Sequence, residues 1–87
     1  MAEKLFLEVV TPLKAVVSEE VEIVVAPGSE GEFGVLKGHT TFLTSLKSGI
    51  LRFKTAAGAE KKFQIRGGFA EILPDKVTVL AESAVEA

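Results

Sequence analysis

Eighty-seven residues, nearly half of them apolar and none a cysteine, suffice for one small domain with a continuous core. The missing cysteine excludes a disulfide framework and a thiolate metal site, and it leaves the redox compartment open. A net charge of −2 says little as a total, but the charges are segregated along the chain. Residues 1–36 hold seven acidic and two basic groups, and residues 37–66 hold seven basic and one acidic. Residues 67–87 hold four acidic and one basic. This layout predicts an asymmetric charged surface, able to steer a protein partner. Nucleic acid fits it less well, because the basic segment has few exposed-looking aromatics and no recognisable module.

The N-terminal ten residues carry Glu3 and Glu8 and lack a long apolar stretch. They read as neither a signal peptide nor an arginine-rich transit peptide. No apolar run approaches the 18 or so residues of a spanning helix, so the chain is expected not to cross a membrane.

From there, short β-branched and aromatic runs separated by Gly, Pro and Ser recur to the end. Residues 4–10 alternate, with Leu5, Leu7 and Val9 on one face and Phe6, Glu8 and Val10 on the other. Thr11-Pro12 closes this strand, since proline removes a ladder donor and restricts the residue before it. Residues 13–17 form a short second run. Residues 20–26 predict a separate strand, with Val21, Ile23 and Val25 opposed to Glu20, Glu22 and Val24. Glu19, Glu20 and Glu22 read most simply as a solvated strand face. Pro27-Gly28 turns the chain.

The next stretch, GSEGEFGVLKGH over residues 28–39, holds four of the eight glycines, two carboxylates and the only histidine. Gly28, Gly31, Gly34 and Gly38 are spaced for tight turns and positive backbone dihedrals. Between them Phe33, Val35 and Leu36 are apolar enough to return to the core. Two readings stand side by side here: a plain pair of turns, or an interaction loop held on a rigid sheet.

Residues 42–46 follow as a strand with Phe42, Leu43 and Leu46 apolar, and Lys47-Ser48-Gly49 turns. Residues 50–55 and 60–66 read as a hairpin across Ala56-Ala57-Gly58-Ala59. Leu51, Phe53, Phe63 and Ile65 face the core, and Arg52, Lys54, Lys62, Gln64 and Arg66 make the opposite face basic. Gly67-Gly68 predicts a bulge or bend. Residues 69–73 and 76–80 make a last hairpin around Pro74-Asp75. Residues 81–87 have helix-forming composition but are too short to stand alone. The expected fold is all-β, a flattened barrel or sandwich of about eight to ten short strands, with the six phenylalanines in its core.

Catalytic chemistry has little to stand on. His39 is the only imidazole, and neither GxSxG nor HExxH occurs. A triad would need Asp75 and a distant serine, and a metal site would need His39 with Glu30 and Glu32. GSEGEFG lacks the lysine and the following helix of a phosphate loop. No catalytic, cofactor or metal residue is therefore expected, and a binding or structural module is favoured over an enzyme.

Four stretches carry a resemblance: LEVVTP, then GSEGEFGVLKGHTTFLTSLKSG, then RGGFAEI and VTVLAESA. In that order and spacing the chain resembles, over nearly its whole length, the N-terminal β-sandwich domain of the epsilon subunit of F-type ATP synthases. The resemblance implies a domain over residues 1–84, with residues 85–87 beginning the family's C-terminal helical region. It implies a flattened barrel of about ten strands at the foot of the central rotor, on the cytoplasmic face of a bacterial inner membrane. There the domain would perform no chemistry and hold no cofactor. It would lock the gamma subunit to the c-ring during proton-driven ATP synthesis, touching the membrane only through the complex. By the same resemblance Glu32 is the carboxylate near the c-ring loop, and Thr11, His39, Thr44 and Ile50 lie at or near the gamma and ring contacts. Because the two long helices of the family are missing here, their restraint of ATP hydrolysis and any nucleotide site built on them are expected to be missing too. The isolated chain is expected to be a monomer. The alternative is a free-standing small β-barrel that binds a ligand.

Overall fold

A computed structural model describes residues 5–38 and 41–87 and contains no helix among them. Glu3 and His39, both named from the sequence, lie outside the described residues. Nine strands form: β1 (Leu5–Val10), β2 (Ala15–Gly28), β3 (Gly31–Val35), β4 (Phe42–Leu46), β5 (Gly49–Thr55), β6 (Glu60–Arg66), β7 (Gly68–Leu73), β8 (Lys76–Leu80) and β9 (Ser83–Glu86). The count falls within the expected eight to ten.

Hydrogen bonding follows the order β1-β8-β7-β4-β2-β5-β6-β9, with β3 on the free side of β2 and a β1–β2 pair besides. The first half of β2 pairs with β1, and its second half with β3 and β5. The long strand therefore belongs to two layers. One layer runs β4-β7-β8-β1, and the other β3-β2-β5-β6-β9. Among the described residues only β1 and β8 run parallel.

Inward-facing residues of both layers make one core that includes Leu5, Leu7, Val9, Val24, Leu51 and Ile72. Strict alternation in β1, and again in Leu51, Phe53, Phe63 and Ile65, puts these groups inside as expected. Phe53 and Phe63 stack with ring centroids 6.0 Å apart. At the tip of their hairpin the buried Thr55 accepts the Ala59 N–H on its hydroxyl at 3.1 Å, and Gly58 takes a positive φ of 95°.

Several expectations fail for local reasons. Residues 13–17 and 20–26 are not two strands; residues 15–28 make one. Within it Val21 faces Thr55 while Ile23 faces Lys54, so Glu22 is an extra residue. This bulge resets the phase, and Val24 is buried while Ile23 and Val25 are only partly so. Of the four glycines in residues 28–39, only Gly31 and Gly38 take positive φ. Gly28 is needed for space instead, because a Cβ there would lie 2.7 Å from the Gly31 carbonyl oxygen and 2.9 Å from the Phe33 ring. Leu36 is exposed, not returned to the core.

Residues 83–86 are strand, not the start of a helix, because β6 offers an open edge and β9 pairs along it from Arg66 to Phe63. Phe69 is exposed, and Phe6, Phe33 and Phe42 are half-buried, so the core holds Phe53 and Phe63 fully.

Candidate functional site

The glycine-rich stretch becomes a tight β2–β3 hairpin, with Gly28 paired to Gly31. Ser29 at its tip donates its N–H to the Ser45 carbonyl at 3.0 Å, and the two serine hydroxyls also bond, tying the tip to β4. Glu32 follows, paired to Pro27, and Phe33 packs edge-on against Phe42 at 5.6 Å. The Glu32 backbone is thus fixed by strand pairing on one side and a packed ring on the other. Its carboxylate Oε1 accepts from Arg52 Nη2 at 3.1 Å, reaching across β2 to β5. Both side chains remain about half exposed.

Thr11 opens the turn between β1 and β2. Its N–H bonds the Lys14 carbonyl at 2.9 Å, and its hydroxyl lies 3.3 and 3.4 Å from the Leu13 and Lys14 amides. That cap is a structural task for Thr11. It holds the next residue but one, Leu13, 94% exposed at the apex. The backbone bonds Ala81 N–H to Val10 and Glu82 N–H to Arg66 bring this turn to the end of the sandwich that also carries Glu32. Ile50 joins them there, since the neighbouring Gly49 packs on Pro27, the strand partner of Glu32. Thr44 does not. It lies mid-strand opposite Ala70, half-buried, with its hydroxyl turned to the Ser45 carbonyl at 3.3 Å.

One exposed apolar surface among the described residues escaped the sequence. On the outer face of β4-β7-β8-β1, Ser45, Phe69, Leu80 and Val10 stand in one row across four strands. Leu43, Glu71, Thr78 and Glu8 make the next. Leu43 is 70% exposed, Phe69 56% and Leu80 52%. Shallow depressions run between these side chains and on past Pro12 and Val10. The clue lay in Gly67 and Gly68, with φ of 54° and 120°. Ile65 points in, and without a break the alternation would have put Phe69 in as well. The two glycines reverse it, so Ala70 and Ile72 are buried and Phe69 faces out.

The opposite outer face is ionic. Besides Arg52 and Glu32, Lys54 lies 3.8 Å from Glu22. Lys61 and Glu19, 3.5 Å apart, instead stand in phase with the buried Phe63 and Val21, on the inner side at the edge of the core. Each pair joins the acidic first third of the chain to its basic middle. The segregation seen in the sequence is thus partly internal complementarity between strands. Glu19, half-buried, and Glu22, exposed, are both paired. Among the described residues no cluster of three acidic or histidine groups is placed to hold a metal ion.

A rigid two-layer β-sandwich with one apolar and one ion-paired outer face defines a small all-β domain built to present surfaces. The family described as ATP synthase, Delta/Epsilon chain, beta-sandwich domain matches residues 4–87, and this chain belongs to that family. It is 74% identical over 84 residues to an ATP synthase epsilon chain of Desulforapulum autotrophicum, covering 97% of this chain and 62% of that protein. With the epsilon chain of Syntrophobacter fumaroxidans it shares 58% identity, covering all of this chain and 64% of that one. The chain therefore spans a little over three-fifths of the length of these relatives. A solved structure of the Euglena gracilis mitochondrial ATP synthase, OSCP/F1/c-ring, contains a similar fold with a TM-score of 0.91. That match has 27% identity and covers 99% of this chain and 55% of the matched one.

Proposed function

We propose that this chain is the rotor-coupling β-sandwich of a bacterial ATP synthase epsilon chain. It has no active site of its own, and it joins the gamma subunit to the c-ring on the cytoplasmic side of the membrane. The domain extends through β9, and the isolated chain is a monomer. One observation carries the assignment: the exposed Leu43, Phe69, Leu80 face stands on a four-stranded layer whose other side is the core. A contiguous apolar patch on a stiff support is what a permanent protein interface requires. We assign this face to gamma. The end that carries Glu32, Ile50 and the Thr11–Leu13 turn is assigned to the polar loops of the c-ring, and His39 stays at the gamma and ring contacts by resemblance alone. Thr44, turned inward, contributes through its strand neighbours Leu43 and Ser45.

A ligand-binding barrel is the weaker alternative, because the depressions beside Phe69 and Leu80 lie on an open sheet face and not inside the sandwich. The test is the affinity of the chain for a purified gamma–c-ring rotor, with Leu80→Glu alongside the wild type. Binding that Leu80→Glu abolishes while melting is unchanged supports the assignment. No binding by the wild type, or equal binding by both, contradicts it.

A further inference from the structure

We propose that Arg52 is a positioning residue for the Glu32 carboxylate, so that the two side chains dock as one unit. The assignment rests on Glu32 lying at a rotor contact, as argued above. Arg52 stands on β5 opposite Val25 of β2, one strand away from β3. Its guanidinium crosses β2 and takes Glu32 Oε1 at 3.1 Å. Among the described residues Glu32 Oε2 has no partner, so one oxygen is held and the other is presented. A carboxylate can accept on both oxygens, and a guanidinium has donors to spare. The backbone beneath is already fixed by the Glu32–Pro27 pairing and by Phe33 against Phe42. Arg52 fixes what the backbone cannot, the side-chain torsions.

A carboxylate ordered before contact loses less freedom on binding. Because Arg52 already offsets its charge, the presented oxygen suits a hydrogen-bond donor on the partner loop without requiring a cation. An exposed pair of this kind adds little to folding. Its removal therefore separates orientation from stability. Lysine at position 52 keeps the charge but offers no planar fork, so it should restore the geometry only in part.

The test compares wild type, Arg52→Gln, Arg52→Lys, Glu32→Gln and the Arg52→Gln/Glu32→Gln double variant. Affinity for the purified gamma–c-ring rotor is measured together with melting and with NMR side-chain order at Glu32 in the free chain. The expected result for Arg52→Gln is a three- to tenfold weaker affinity, loss of order at Glu32 and an unchanged melting point. Arg52→Lys should recover part of both losses, and Arg52→Gln should have no further effect once Glu32 is glutamine. Fully additive losses, unchanged order at Glu32, or tighter binding by Arg52→Gln would each overturn the proposal. If Glu32→Gln alone leaves affinity unchanged, the rotor contact at Glu32 is wrong. In that case the role of Arg52 in docking goes with it, and the order measurement shows whether the positioning itself was real.

Discussion

The two outer faces of this sandwich rest on the same inward alternation and end in opposite chemistry. On β4-β7-β8-β1 the outward positions are Leu43, Phe69, Leu80 and Val10, with one ion pair, Lys76 to Glu8 at 3.4 Å, toward the rim. On β3-β2-β5-β6-β9 the outward positions are Glu32, Arg52, Lys54 and Lys62, and two cross-strand ion pairs close over β2. Water solvates the second face well, and the ion pairs there are individually weak. Nothing about the fold requires the first face to be apolar, since its core side is already complete. The inward residues specify the sandwich, and the outward ones specify which side leaves water.

Phenylalanine provides the sharpest contrast. Phe63 is buried on the inner side of one layer and stacked on Phe53, whereas Phe69 stands on the outer side of the other. Phe63→Ala should destabilise the chain by about 3–5 kcal/mol in chemical denaturation. Phe69→Ala should change folding stability by less than about 1 kcal/mol. Equal losses would mean that the face containing Phe69 is part of the core.

Gly68 holds the two faces apart. A Cβ there would fall 1.9 Å from the Leu80 carbonyl oxygen on a backbone already at φ 120°. Gly68→Ala should therefore lower stability by roughly 2–3 kcal/mol. It should also disturb the amide resonances of β7 and β8 before those of β5 and β6. A neutral result would show that the bend tolerates a side chain, and that Phe69 can turn inward.

Charge placed on each face extends the comparison to binding. Leu80→Glu should weaken the rotor complex by at least about 2 kcal/mol, as a central contact does. Glu32→Lys, on the ionic face and about half exposed, should cost about 1 kcal/mol and more at low salt. Glu19→Gln removes only the half-exposed pair to Lys61 at the edge of the core, so it should alter either quantity by less than about 1 kcal/mol. Titration calorimetry at two ionic strengths, with melts in parallel, ranks all three. A larger effect at Glu32 than at Leu80 would reverse the roles of the faces.

Much of this was legible in the residues themselves. The hairpins at Ala56–Ala59 and Pro74-Asp75 follow from turn chemistry, and the burial of Leu5, Leu7 and Val9 follows from period-two spacing. What was not legible lies where the period breaks. Glu22 is inserted as a bulge and shifts Val24 inward, and Gly67-Gly68 turns Phe69 outward. Neither event changes composition, yet each reverses every residue that follows in its strand. The chain end was misjudged for another reason. Alanine and glutamate favour helix locally, but pairing with the open edge of β6 outweighs that preference. At the candidate site, the stiffness around Glu32 could be anticipated from Gly31 and Phe33. Its tie to Arg52 could not, because twenty residues and an intervening strand separate them.

Amide hydrogen exchange of the chain, free and bound to the gamma subunit, tests the central assignment most directly. New protection is expected along residues 68–80, the strands that carry Phe69 and Leu80, with β5 and β6 exchanging as they do in the free chain. Protection confined to β5 and β6, with residues 68–80 unchanged, would place gamma on the ionic face and contradict it.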